Sequence, residues 1–550
     1  MATKLIERTP SAYEYPLLIK QILHTPLRCS PRKEIVYKDV MRYDYLRLYK
    51  RIGQLANALE GLGIKAGDTV GIMDWDSHRY LECFFAVPMM GAVLHTVNVR
   101  LSPEQILYTL NHAEDSVLLV NSDFLPMVEK LRAGMKTVKG IVVLTDSGPA
   151  PETGFETAGE YEALLSKSSE GYDFPDFDEN SMATTFYTTG TTGDPKGVCF
   201  SHRQLVLHTL SVSASMPLAS QGAISSRDVY MPLTPMFHVH AWGMPYLATM
   251  LGLKQVYPGR YIPEVLLGLI AKEGVTFSHC VPTILHMLLG SPACSTVDLS
   301  KLSIIIGGAA LPKGLCIAAG KKGINTYTGY GMSETCPVLT ISHLKPHMLE
   351  WSEEEQIEVR CRTGLPIPLV DLRIVDLGGN DVPHDGVSVG EIVVRTPWLT
   401  QGYLKEPERS SDLWAGGWLH TADIGTIDSE GYLQVTDRMK DAIKTGGEWI
   451  SSLKIENILT MHEAVSEAAV IGVPHEVWGE RPCALVTVKD EYRGKVSEEE
   501  LKTFFAGFVE RGVISKWGIP DKIMIVESIP KTSVGKQNKR QIRKAHAELG

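Results

Sequence analysis

Apolar positions along the chain follow two spacings in alternation, one suited to helices and one to buried strands. Ser102-Pro103-Glu104-Gln105 has the form of a capping box with proline at the first helical position, and Ile106, Leu107 and Leu110 then supply a buried face. Val117-Leu118-Leu119-Val120 and Ile141-Val142-Val143-Leu144 are short apolar runs of the kind that buried strands show. Continued through most of the chain, this alternation predicts a layered α/β architecture. Residues 146–180 turn acidic and rich in Gly, Pro and Ser, which predicts a surface excursion.

Between 372 and 395 the pattern changes to strands broken by Gly378-Gly379-Asn380-Asp381 and His384-Asp385-Gly386, turn formers suited to a small antiparallel unit. Beyond Asp441 the spacing predicts a helix at 454–459, strands at 468–473 and 484–488, and a helix opened by Ser497 with Glu500 as its box partner. Leu501, Phe504, Phe505 and Phe508 fall at helical spacing and are read as core. Together these form a compact C-terminal α+β domain, and no internal repeat is visible.

The 550 residues exceed one ordinary domain, and 44% hydrophobic with 21% charged residues is a globular composition. The first ten residues lack the apolar core of a signal peptide, and no apolar run approaches the roughly 20 residues a bilayer needs. The expectation is a cytoplasmic protein, with peripheral membrane contact and a homodimer left open. Nine scattered cysteines without Cys-x-x-Cys spacing argue against a disulfide framework or a structural zinc site. The formal charge of -10 speaks against nucleic acid as a partner. The basic cluster Lys531, Lys536, Lys539, Arg540, Arg543 and Lys544 reads mostly as a solvated helix face.

One segment demands chemistry. In Thr188-Thr189-Gly190-Thr191-Thr192-Gly193-Asp194-Pro195-Lys196-Gly197, glycines let consecutive N–H groups converge on an anion, threonines add hydroxyl donors and lysine adds positive charge. It is not a Walker loop, because Pro195 stands where the second glycine belongs. Nor is it a plain linker, since β-prone residues 183–187 and 198–200 flank it.

Here the chain resembles the adenylate-forming superfamily, whose signature loop runs Thr/Ser-Gly-Thr-Thr-Gly-x-Pro-Lys-Gly, and within it the acyl-CoA synthetase branch. The resemblance continues in order through Pro235-Met236-Phe237-His238, Gly307-Gly308-Ala309-Ala310-Leu311-Pro312, and the run from Thr326 through Tyr330-Gly331-Met332-Ser333-Glu334-Thr335. Gly417-Trp418-Leu419-His420-Thr421-Ala422-Asp423, Asp437-Arg438-Met439-Lys440-Asp441, Gly446-Gly447-Glu448-Trp449-Ile450-Ser451 and Pro530-Lys531-Thr532-Ser533-Val534-Gly535-Lys536 complete it. It implies an adenylation domain over 1–437 with layered sheets and helices and a small antiparallel unit. It further implies a hinge over 438–442 and a mobile α+β domain over 443–550.

The implied cofactors are ATP, Mg2+ and coenzyme A, and the implied reaction is carboxylate attack on the α-phosphorus, giving an acyl-adenylate and pyrophosphate. Such a site must neutralise growing negative charge. By resemblance, Thr188, Thr189, Gly190, Thr191, Thr192 and Lys196 hold the β and γ phosphates. Glu334 and the Thr188 hydroxyl bind Mg2+, a hard ion that prefers oxygen. Gly308, Ala309 and Ala310 with Tyr330 receive adenine, and Thr328, Gly329, Gly331, Met332 and Thr335 belong to the same nucleotide-facing segment. Asp423 accepts from the ribose hydroxyls and Arg438 contacts the same sugar.

Lys536 is implied to bridge carboxylate and α-phosphate oxygens at the transition state, with Lys440 at the hinge. After the small domain pivots, Lys444 and Gly446-Gly447 face the adenylate and leave a narrow passage for a pantetheine arm. His238 lies in the segment that shapes the acyl side of the pocket, whereas His240 is read as a packed or polar neighbour and not a metal ligand. Trp449 takes the place of a gate on the fatty-acid tunnel of long-chain synthetases.

Gly331 bears on the acid. Acetate- and propionate-activating members carry tryptophan there, so glycine is expected to leave room. With Trp242, Gly243, Val281, Thr283 and Ile284 nearby by analogy, the implied cavity is elongated and apolar, and buried methylenes contribute roughly 0.8 kcal/mol each. A medium- or long-chain fatty acid is the first expectation. An aryl acid, a separate carrier protein as acceptor, a luciferase-like oxygenase and a non-catalytic nucleotide-binding regulator are the alternatives. No Gly-Gly-x-Ser carrier sequence follows the small domain, which favours free coenzyme A. The presence of Lys536, Glu334, Asp423 and Arg438 counts against the regulator.

Overall fold

A seven-stranded and a nine-stranded sheet carry most of the N-terminal region in the computed structural model, which describes residues 3–188, 194–218, 224–376, 378–445, 448–532 and 537–546. The seven-stranded sheet runs in the order Gly159–Glu160, Gly140–Leu144, Asp115–Asn121, Thr69–Met73, Val93–Thr96, Met182–Thr188, Lys196–Ser201. Every neighbour is parallel except the last pair, an antiparallel hairpin whose register sets Thr188 opposite Lys196. Thr69–Met73 is buried throughout, the condition that lets a parallel strand be continuously apolar.

In the nine-stranded sheet, Ser303–Ile306 lies between Phe277–Cys280 and Asn325–Gly331, all parallel. Asn325–Gly331 then pairs antiparallel with Val338–Ile341. The helix His78–Met89, buried along its whole length, belongs to the region where side chains of both sheets join one hydrophobic cluster. The capping box at Ser102 forms as expected at the start of the helix Pro103–His112.

The antiparallel unit is also present. Asp371–Val375, Gly390–Arg395, Trp418–Ile427 and Trp414–Ala415 follow one another, with Leu433–Arg438 alongside Trp418–Ile427. The C-terminal region has its own core of Ile443, Ile455, Leu459, Val470, Val486, Leu501 and Phe505, with Phe504 and Phe508 at its margin. Its strands Val465–His475 and Gly479–Val488 run longer than their apolar stretches because a hairpin pairs them through His475 and Gly479.

The excursion over 146–180 is not wholly superficial. It contains the helix Tyr161–Lys167, whose Tyr161 and Leu165 are buried one helical turn apart. The Tyr161 hydroxyl donates to Glu82 at 2.6 Å, so the segment is tied into the large core. The cysteines are free thiols, most of them buried. Among the described residues, no helix is long and apolar enough to cross a membrane.

Candidate nucleotide and acyl site

A cavity of about 1790 Å3 opens where the nine-stranded sheet, the antiparallel unit and the C-terminal region meet. The strands Ser303–Ile306 and Asn325–Gly331 end beside it, the end of an α/β sheet at which ligands bind. They bring Gly308, Ala309 and Ala310 to one part of the wall and Thr328, Gly329, Tyr330, Gly331 and Met332 to another. Gly308 has φ of +75°, a conformation that glycine adopts without strain.

Asp423 and Arg438 sit opposite each other in the register of neighbouring strands, and both line the cavity. The Arg438 Nε lies 3.4 Å from Asp423 Oδ1, while the Tyr330 hydroxyl donates to Asp423 Oδ2 at 2.8 Å. Burial, followed by the neighbouring carboxylate, pushes the Tyr330 phenol well above its ordinary value, so it remains a donor. This carboxylate stands at the cavity wall with charge and hydrogen bonding already arranged around it.

Thr188, Lys196 and Glu334 gather at another part of the same cavity. Glu334 is buried, and its Oε1 accepts from the Tyr403 hydroxyl at 2.7 Å. The Lys196 ammonium lies 4.4 Å from the centroid of the Tyr403 ring. Tyr403 escaped the sequence reading because Gln401-Gly402-Tyr403 has no diagnostic spacing. It enters through tertiary pairing, a bridge between Val198 and Tyr403 and a hydrogen bond from the Leu404 N–H to the Gly197 carbonyl at 2.8 Å.

The C-terminal region contributes Lys440, Lys531, Thr532, Gln537 and Lys539. Burial lowers the Lys440 pKa. Lys531 pairs with Glu467 at 2.7 Å, and Gln537 donates to the Ala468 carbonyl at 2.6 Å. Thr532 and Gln537 both line the cavity. Lys536 itself, Thr189, Gly190, Thr191, Thr192, Gly446, Gly447 and the Trp449 side chain lie outside the described residues.

Other expected residues lie elsewhere. Thr283 and His238 line the cavity, but Trp242, Gly243, Val281 and Ile284 do not. Val239, His240, Ala241, Trp242 and Gly243 form a left-handed turn, with φ of 47°, 54°, 48°, 59° and 73°. Such a run is costly for L-residues and is not announced by hydrophobic periodicity. Trp242 is buried with its ring 5.1 Å from that of His279. A Cβ at Gly243 would meet His208 Nδ1 at 2.9 Å.

His240 is packed, as expected. It is fully buried among Phe84, Phe186 and Tyr246, and desolvation holds its pKa at about 3. Thr335 is also removed from the cavity, its hydroxyl engaged with the Met332 backbone and the Pro337 carbonyl. Lys444 is exposed and outside the cavity wall in this arrangement, its N–H donating to Glu480 Oε2 at 3.0 Å.

Gly331 lines the cavity, but the room expected at its α-carbon is absent. A Cβ there would come within 1.7 Å of the Pro337 carbonyl oxygen. Glycine is required by close backbone approach in the turn.

The donor set fits a nucleotide with a divalent cation. Among the described residues no group of three or more His, Cys, Asp or Glu could hold a metal unaided. Mg2+ commonly takes one or two carboxylates together with substrate phosphates, and one buried carboxylate beside a hydroxyl and a lysine matches that habit.

A family model described as AMP-binding enzyme matches residues 24–404, and one described as AMP-binding enzyme C-terminal domain matches residues 454–536. The chain belongs to the AMP-binding enzyme family. A long-chain-fatty-acid–CoA ligase of Thermus thermophilus is 43% identical over 524 residues, covering 94% of this chain and 93% of that protein. A 3-methylmercaptopropionyl-CoA ligase of Ruegeria lacuscaerulensis is 40% identical over 540 residues, covering 96% of this chain and 97% of that protein. The crystal structure of an anthranilate CoA ligase in complex with anthranoyl-AMP matches with a TM-score of 0.85 at 24% identity, over 98% of this chain and 99% of that one, a likeness of fold. This member of the AMP-binding family is an acid–thiol ligase, an acyl-CoA ligase working with ATP, Mg2+ and coenzyme A.

Proposed function

We propose that this AMP-binding enzyme activates a medium- or long-chain fatty acid as acyl-AMP with release of pyrophosphate, then passes the acyl group to coenzyme A in the cytosol. The observation that carries the reading is the convergence of Thr188, Lys196, Glu334, Asp423, Arg438, Thr532 and Gln537 on one cavity. The 43% identity to a protein named as a long-chain ligase supports an alkyl acid. The relative named for 3-methylmercaptopropionyl-CoA marks a shorter acid as the nearest competitor.

In this account Asp423 and Arg438 hold the ribose, Gly308 to Ala310 and Tyr330 receive adenine, and Lys196 with the loop hydroxyls binds the β and γ phosphates. Glu334 and Thr188 would hold Mg2+, which when bound supplies charge neutralisation at the phosphates. Lys536 bridges the acid and the α-phosphate, and stabilisation confined to the transition state accelerates chemistry without tightening ATP. His238 and Thr283 stand on the acyl side. Residues 1–437 act as the adenylation domain. Rotation about 438–442 then carries the C-terminal domain to an arrangement in which Lys444, Gly446 and Gly447 face the adenylate, with Trp449 gating the acid.

The test is coenzyme-A-dependent AMP release across acids from acetate to palmitate, with benzoate and a methylthio acid included. Highest turnover on medium or long alkyl acids is expected. A preference for acetate, a methylthio acid or benzoate would overturn the acid assignment. AMP release without a CoA thioester would point to a separate carrier.

A further inference from the structure

Tyr403 stands between two groups that the proposed function uses separately. Its backbone is fixed by the bridge to Val198 and by the neighbouring Leu404–Gly197 hydrogen bond, so the phenol is anchored to the hairpin that begins the phosphate segment. The same stretch is fastened to the Glu334 turn, since the Thr400 N–H donates to the Glu334 carbonyl at 3.0 Å. The Thr400 hydroxyl also donates to the Cys199 carbonyl at 3.0 Å. Tyr403 is 8% exposed, with its hydroxyl on Glu334 Oε1 and its ring beneath Lys196.

We propose that Tyr403 is a positioning residue that couples the cation-binding carboxylate to the phosphate-binding lysine. Its hydroxyl commits one oxygen of Glu334 and orients the other toward a divalent cation. Its ring face holds the Lys196 ammonium where the phosphates of the same nucleotide arrive. The role assigned to Tyr403 concerns Mg2+ and ATP alone. This rests on the assignment of Glu334 to the cation.

The two contacts separate by substitution. Tyr403→Phe removes the hydroxyl and keeps the ring, while Tyr403→Leu removes both. ATP binding is measured by calorimetry on the full chain without acid, at a series of Mg2+ concentrations, with Glu334→Gln in parallel and melting curves to verify folding. Tyr403→Phe should raise the half-saturating Mg2+ roughly 10-fold, the scale of a hydrogen bond to a charged group. Its ATP affinity at saturating Mg2+ should stay near that of the parent. Tyr403→Leu should lose about 3-fold or more in that affinity as well, through the missing cation–π contact.

An unchanged Mg2+ midpoint in Tyr403→Phe, with a shifted one in Glu334→Gln, would overturn the role of Tyr403 and leave the metal assignment standing. An unchanged midpoint in Glu334→Gln would overturn the metal assignment and this proposal with it. Should Tyr403→Leu fail to fold, Tyr403→Phe alone decides.

Discussion

The Tyr330 hydroxyl donates to Asp423 Oδ2 at 2.8 Å, joining the end of a core strand of the nine-stranded sheet to the antiparallel unit at the cavity wall. One carboxylate oxygen is held by this phenol, and the other faces Arg438 at 3.4 Å. A diol bound here meets an oriented anion.

Asp423→Ala should therefore weaken ATP binding about 10- to 100-fold, the scale of hydrogen bonds to a charged group. Tyr330→Phe should do less, because the carboxylate remains. Calorimetric titration with ATP and the KM for the acid separate the cases: nucleotide affinity falls while the acid KM stays near its parent value.

Lys536→Ala should slow acid-dependent adenylation by roughly 100- to 1000-fold, the range for losing one transition-state donor. It should spare thioester formation from supplied acyl-adenylate. Comparing the two half-reactions in one preparation is the check, and equal loss of both would contradict the assigned role.

Gly331→Ala is predicted to act on stability before selectivity. The added carbon meets the Pro337 carbonyl oxygen at 1.7 Å, so the turn must move. A cost of about 1–3 kcal/mol is expected from overpacking. A melting curve tests this, and an unchanged midpoint would contradict the close backbone approach as the reason for glycine at 331.

Acid should unfold the protein readily. His202, His208, His240 and His279 are held at about 3 by burial, below the ordinary 6.5. As pH falls from about 6.5 toward 3, the unfolded chain binds protons that the folded one refuses, and stability is lost. Asp76, pushed up to about 7 by burial, opposes the trend as a single group. Urea midpoints between pH 7.5 and 4.5 should fall, and His240→Met should flatten the slope by up to about 1.4 kcal/mol per pH unit.

The architecture was legible where local signals agree with tertiary context. The Ser102 capping box, the apolar runs at 117–120 and 141–144 and the turn clusters after Leu372 appear where the pattern places them. Gly308, Tyr330, Glu334, Asp423 and Arg438 were singled out for another reason: they stand in the short motifs that carry the family resemblance, and all five line one cavity.

What escaped reading depends on backbone hand or on distant pairing. The left-handed turn at 239–243 sets the Trp242 ring against Gly307, behind the residues that line the cavity. Backbone approach at Pro337 explains Gly331 better than an open floor does. Tyr403 reaches the site only because residue 403 bridges to 198, a pairing that local periodicity does not encode.

The most direct test of one cavity serving both ATP and acid is exchange of labelled pyrophosphate into ATP, catalysed by the purified protein with Mg2+ and without coenzyme A. The account predicts exchange that requires a fatty acid and falls away in Lys536→Ala. Exchange that ignores the acid, or none with any acid from acetate to palmitate, would contradict it.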